Sequence, residues 1–142
     1  MKKWLFCFVI LAGATAAGYL ILGGYTPLYA SDTKILREKT YRFWECVKFK
    51  SFDQAAEFDR AQDKQTTARL IERIFRIKPE NLDIQTVDVI HEGLDRTGKL
   101  GRTKTRITGE MLNPKKPLEI EIMLFWEKEG EAWWLKLESS LR

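Results

Sequence analysis

"IMLFWEKEGEAWWLKLES", residues 122–139, holds three of the chain's five tryptophans and decides how the rest is read. Large apolar residues alternate with polar ones on both sides of Lys-Glu-Gly-Glu, a period of two around turn chemistry, so the stretch predicts a β-hairpin. Centring the turn on Glu129-Gly130 pairs Trp126 with Trp133, Leu124 with Leu135 and Ile122 with Leu137. Those six then share one face, and Phe125 and Trp134 share the other. The first face is too apolar for water and needs a covering layer.

Working upstream, the same alternation gives strands over 82–92, 100–112 and 118–127, with the last over 132–140. Their separators are "GLDRTGK", "NPKK" and "KEGE". A turn at Pro114-Lys115 pairs Ile107 with Ile122 and Thr105 with Leu124. In the first hairpin Val89 meets Thr105 and Val87 meets Ile107, which also sets Asp88 beside Arg106 and Glu92 beside Arg102 on the opposite face. In this register His91 points inward, in a row with Thr103, Trp126 and Trp133. Lys104, Phe125 and Trp134 form an outward row flanked by Met123 and Ile90.

Before residue 82 the period is helical. Leu36, Thr40, Phe43, Trp44 and Val47 make one stripe of a helix opened by Ser31 or Asp32. Ser51 with Gln54 has capping-box spacing for a short second helix carrying Phe52, Ala55, Ala56 and Phe58. A third runs from about Asp63 to Ile77, with Thr67, Leu70, Ile71, Ile74 and Phe75 on one face and Pro79 ending it.

The chain opens with Lys2 and Lys3 and then carries no charge from Trp4 to Tyr25, a run of 22 residues. A helix of about 20 residues spans a bilayer core, whereas a signal-peptide core is about 7–15. The run therefore reads as a membrane anchor, with Leu28-Tyr29-Ala30 before Ser31 leaving a cleaved signal open. The lysines stay cytoplasmic, which puts the domain across the membrane. Gly13, Ala14, Ala16, Ala17 and Gly18 form a small-residue stripe in the run, and Gly23, Gly24 and Pro27 separate it from the domain. The expected organisation is an anchor over 1–30 and an exported domain over 31–142. Its class is α+β: three N-terminal helices packed on a four-stranded antiparallel meander, preceded by one transmembrane helix.

Composition excludes several functions. Lys2 and Lys3 are two of 24 basic residues and no acid precedes Asp32, so the domain carries 22 basic against 20 acidic groups. That balance argues against nucleic-acid binding. One histidine and two separated cysteines give no metal-ligand cluster, and Cys46 reads as a small buried hydrophobe. "RTGKLGR" lacks the spacing of a phosphate loop. No cofactor is expected.

Trp44 in the first helix, "SFDQAAEF" as the second, and the closing "FWEKEGEAWWLKLE" together resemble the NTF2-like superfamily, the cystatin-related α+β cone, over roughly residues 32–142. The resemblance implies a curved sheet. It also admits isomerases, cyclases, transport adaptors and scaffolds. Single-pass scaffold subunits of type IV secretion machines are similar in layout. Enzymes of this type use an Asp, His or Tyr inside the cone, but the register places no carboxylate on the face of His91 to orient it. Tyr41, Trp44, His91, Thr103, Trp126 and Trp133 are the candidate lining of a small-ligand pocket. Lys104, Met123, Phe125 and Trp134 are the candidate protein interface, aromatics with Met being enriched in such surfaces. The leading expectation is a non-enzymatic accessory subunit of the bacterial inner membrane, with its domain in the periplasm. Lipid meets it along residues 4–25, and its partners are other membrane subunits or a second copy. The alternative is an exported module for a small apolar ligand, and behind that an isomerase or cyclase.

Overall fold

The helical stripes and the alternating strands appear where the two periods place them. The computed structural model describes residues 27–141, and Thr33–Arg142 forms one compact unit. The uncharged run at 4–25 and the glycine break after it lie outside the described residues. Among the described residues, no helix is long and apolar enough to cross a membrane.

Helix α1 (Pro27–Lys48) starts earlier than expected, so Ser31 and Asp32 lie within it rather than cap it; a proline is tolerated in a helix's first turn. Its stripe Leu36, Thr40, Phe43, Trp44 and Val47 is buried. Lys50 adopts the left-handed conformation and Ser51 N–H returns to Cys46 C=O at 2.8 Å, a Schellman-type close. In α2 (Phe52–Ala56) Ser51 is the N-cap, but its side chain makes no capping bond, so the expected capping box does not form. Helix α3 (Lys64–Phe75) is capped by Asp63, whose carboxylate accepts from Gln65 N–H at 2.9 Å and Thr66 N–H at 3.2 Å. Thr67, Leu70, Ile71 and Phe75 bury its inner face.

Strands β1 (Leu82–Leu94), β2 (Leu100–Leu112), β3 (Lys115–Glu129) and β4 (Ala132–Leu135) form one antiparallel sheet in sequential order. Both later hairpins differ from the expected register by two residues. The β2–β3 turn is Asn113-Pro114, with a cis peptide bond between them, which pairs Thr105 with Ile122 and Ile107 with Ile120. The β3–β4 turn is Gly130-Glu131, with Gly130 at φ +57°, the conformation a tight hairpin needs at that place. It pairs Trp126 with Leu135 and Lys128 with Trp133. A slip of two leaves every side chain on its expected face, because the side-chain period in a strand is two. Thus Trp126 and Trp133 still face inward. The last strand is shorter than expected: beyond Leu135 the chain turns into a 3₁₀ segment, Glu138–Leu141.

The β1–β2 ladder carries the pairs Val87–Ile107, Asp88–Arg106 and Val89–Thr105 as read from the sequence. It also carries two bulges that were not anticipated, between Ile84 and Thr86 and between Val89 and His91. Each inserts one unpaired residue and bends the strand. Helix α1 meets both. Lys48 Nζ donates to Gln85 C=O at 3.0 Å, and Tyr41 Oη accepts from Val89 N–H at 3.3 Å.

The core lies between the helices and the inner face of the sheet. Trp44, Trp126, Trp133, Phe43, Leu36, Ile71 and Ile107 are its largest fully buried members. A buried tryptophan removes roughly 150–250 Å² from water, worth about 4–6 kcal/mol as an upper bound, so three of them dominate the packing. Gly101 lets α1 come close: a Cβ there would sit 2.4 Å from Leu36 Cδ1 and 3.3 Å from Trp133 Cζ3.

Candidate functional site

The second bulge redistributes the chemistry of β1. With Ile90 unpaired, His91 faces Lys104 and Glu92 faces Thr103. The expectation of an inward His91 and an outward Glu92 is therefore reversed: His91 is exposed, and Glu92 turns toward the helices. There Glu92 pairs with Arg37 of α1 at 2.9 Å. The expected neighbour Arg102 instead pairs with Gly93. A carboxylate thus sits on the inner parity of the sheet, but a guanidinium neutralises it and the histidine that would need it is on the other side.

The rest of the expected pocket lining is packed solid. Trp44 and Trp126 are 0% exposed and Trp133 1%, so essentially no part of them touches a space large enough for water. Thr103 is equally buried, and Tyr41, 36% exposed, lies at the helix–β1 rim. Polar atoms inside form one directed chain. Trp126 Nε1–H donates to Thr103 Oγ1 at 3.1 Å, Thr103 and Thr40 hydroxyls lie 2.8 Å apart, and Thr40 Oγ1 donates to Leu36 C=O at 2.7 Å. A hydroxyl has one hydrogen, so Thr103 is the donor to Thr40. Trp44 Nε1 and Thr105 Oγ1 are buried without a hydrogen-bond partner among the described residues. Burial first, then Glu45, raises the Cys46 thiol above its usual pKa, which opposes thiolate formation. Among the described residues, no group of three His, Cys, Asp or Glu side chains is placed to hold a metal ion.

The outer face of the sheet carries several exposed apolar residues, Phe125 at 39%, Ile90 at 41% and Leu100 at 47%, while the most exposed of all, Phe49, follows α1. The expected row Lys104–Phe125–Trp134 is broken by the two-residue slips. Lys104 pairs with Met123, which is half-buried; Phe125 lies across from Arg102; and Trp134 lies across from Glu127. Phe125 and Trp134 consequently line different grooves. Trp134 joins Asp59, Arg60, Leu135 and Lys136 in one groove of about 430 Å³. Both of its cations are internally committed, Lys136 to Glu127 at 3.2 Å and Arg60 to Glu129. Phe125 joins Leu94, Leu100, Arg96 and Arg102 in another of about 430 Å³, at the β1–β2 hairpin. The backbone of Phe125 is held on both sides. Its N–H donates to Ser140 Oγ at 2.9 Å and its C=O accepts from Lys136 N–H at 2.8 Å.

Most cations on this face are paired. Lys104 and Arg106 share Glu121, the latter at 2.9 Å, and Arg106 also reaches Glu119 at 3.6 Å. Lys104 and then Arg106 hold the Glu121 carboxyl below the usual carboxylate range. The second groove, and an arginine left without a carboxylate beside it, were missed from sequence. The missing signal was the true register, which sets Arg102 between Gly93 and Phe125, a row with no acid.

These features define an α+β domain with tightly packed tryptophans inside and an outer sheet face that mixes apolar residues with charges of both signs. No family model matches the chain, and no curated protein matches it either.

Proposed function

We propose that the protein is a single-pass membrane-anchored accessory or scaffold subunit. Its exported domain, of NTF2-like type, works through protein–protein contact on the outer face of the sheet. The anchor is the uncharged run at 4–25, with Lys2 and Lys3 on the cytoplasmic side, and the setting is the bacterial inner membrane with the domain in the periplasm. The partner is another subunit of a membrane complex, and the function needs no cofactor.

The carrying observation is how the large apolar residues divide. Trp44, Trp126 and Trp133 fill the inside, where a catalytic or ligand-binding cone needs space, while Phe125, Ile90 and Leu100 stay exposed on the opposite face; Phe49, just after α1, is exposed apart from them. Large apolar side chains of this kind concentrate in interface cores. Three helices before a four-stranded antiparallel meander support the resemblance in layout.

The test is native mass spectrometry of the full-length chain gently extracted from its own membranes. Intact residues 1–142 bound to a different chain are expected, with the complex weakened by Phe125→Gln and Met123→Gln together. A lone chain beginning near Ser31, a complex containing copies of this chain alone, or an assembly indifferent to the double substitution would overturn the proposal.

A further inference from the structure

The groove at the β1–β2 hairpin has a composition that the fold itself does not use. Its floor is apolar, from Leu94, Leu100 and Phe125, and Arg96 and Arg102 flank it. Of the outward cations on the described strands and the Lys136 that comes after them, Lys104, Arg106, Lys115 and Lys136 each have a carboxylate partner, and Arg102 has none. Arg96 has none among the described residues either. The acid lining the groove, Asp95, is turned into its own loop: Oδ1 accepts from Lys99 N–H at 3.1 Å and Leu100 N–H at 3.0 Å, and Oδ2 from Thr97 Oγ1 at 2.7 Å. Thr97 first and Leu100 next keep its carboxyl below the usual range, so it stays ionised and occupied.

We infer that this groove recognises an acidic segment of the partner protein: an Asp or Glu held by Arg102 and Arg96, next to a bulky apolar side chain on the Leu94–Leu100–Phe125 floor. The inference rests on reading the outer face as a contact surface, and it names what that surface selects. Guanidinium groups match a carboxylate as a planar fork, two hydrogen bonds at a time. A concave site of this volume takes side chains, whereas attraction to a lipid surface calls for a cluster of about 4–8 Lys and Arg, and this groove has two arginines. Position favours pre-organisation too, since Phe125 is anchored through both of its peptide groups.

The experiment places a photoreactive benzoylphenylalanine at Leu100, and separately at Met123, in the full-length protein in its native membranes. Cross-linked peptides are then identified by mass spectrometry. From position 100 the expected product is a segment of another protein with Asp or Glu beside a large apolar residue. Arg102→Glu should reduce its yield by about thirtyfold or more, as losing a desolvated charge pair does, and an acid-to-Arg change in that segment should restore it. A segment without an acid, a lipid adduct alone, a link to a second copy of this chain, or a yield unchanged by Arg102→Glu would overturn the inference. Cross-linking from 123 without 100 would refute the groove while leaving the contact surface standing. Silence at both positions would refute both.

Discussion

Replacing Thr103 by valine tests whether the buried polar chain Trp126–Thr103–Thr40–Leu36 stabilises the fold as a unit. Valine has nearly the same shape, so it opens no cavity. It does remove the acceptor that Trp126 Nε1–H uses at 3.1 Å, in a place where Trp126 is 0% exposed and water cannot substitute. Leaving one buried donor unsatisfied costs about 1–3 kcal/mol. With a urea slope of about 2 kcal/mol/M for a domain of this size, a cost of about 2 kcal/mol lowers the unfolding midpoint by about 1 M. Thr40→Val should cost less, about 1 kcal/mol, because Trp126 keeps its acceptor and the Thr103 hydroxyl alone loses its own. In the double substitution the orphan is again Trp126 Nε1–H and nothing more, so it should unfold close to Thr103→Val. The chain, full-length in mild detergent, is titrated with urea and followed by circular dichroism at 222 nm. Costs that add to within about 0.4 kcal/mol, or a Thr40→Val variant weaker than Thr103→Val, would refute the directed chain.

Two further outcomes come from the packing and the charges. Gly101→Ala should destabilise by about 1–3 kcal/mol through overpacking, since its Cβ would lie 2.4 Å from Leu36 Cδ1. Adding Leu36→Val should recover part of the loss in thermal melts, and no recovery would mean that the backbone and not Leu36 is the obstacle. Hydrogen bonds from Thr66, from Thr97 and from Lys104 are the first cause, respectively, of Asp63, Asp95 and Glu121 titrating below their ordinary values of 3.8, 3.8 and 4.5. Depressed folded-state values mean that their stabilisation is present above the unfolded values and is lost as pH falls below about 4 through the folded ones. Unfolding midpoints should therefore drop on the acid side, less steeply in a variant carrying Asp63→Asn and Asp95→Asn. An identical acid slope in that variant would assign the loss to other groups.

How much was legible in the sequence depended on whether errors came in twos or ones. Both later hairpins slipped by two residues, and the core assignments of Trp126, Trp133, Leu124 and Leu135 survived because parity did. The bulge at Ile90 is an error of one, and it exchanged His91 with Glu92, which removed the single histidine from the interior. Its trace was present in the apolar phase of β1: Leu82 and Ile84 are even, Val87 and Val89 odd, and Leu94 even again. Each change of phase marks a bulge. The unpaired Arg102 was not legible, because whether a charge is neutralised depends on which residues of the two neighbouring strands lie opposite it. Ser51 is the reverse case, with the right spacing for a capping box and the wrong backbone conformation, φ −85° and ψ 67°.

Parts of both margins of the sheet are taken up, although β4 covers only Trp126–Glu129 of β3. On one margin, Lys48 and Tyr41 occupy outward peptide groups of β1 at Gln85 and Val89, beside the bulges that bend it. On the other, Leu135 N–H is taken by Phe58 C=O at 2.8 Å, and Leu137 N–H by Asp59 Oδ2 at 3.3 Å. Exposed strand margins are where chains join indiscriminately into fibrils. At these peptide groups strand addition is blocked, so a partner that meets the sheet there must approach it broadside.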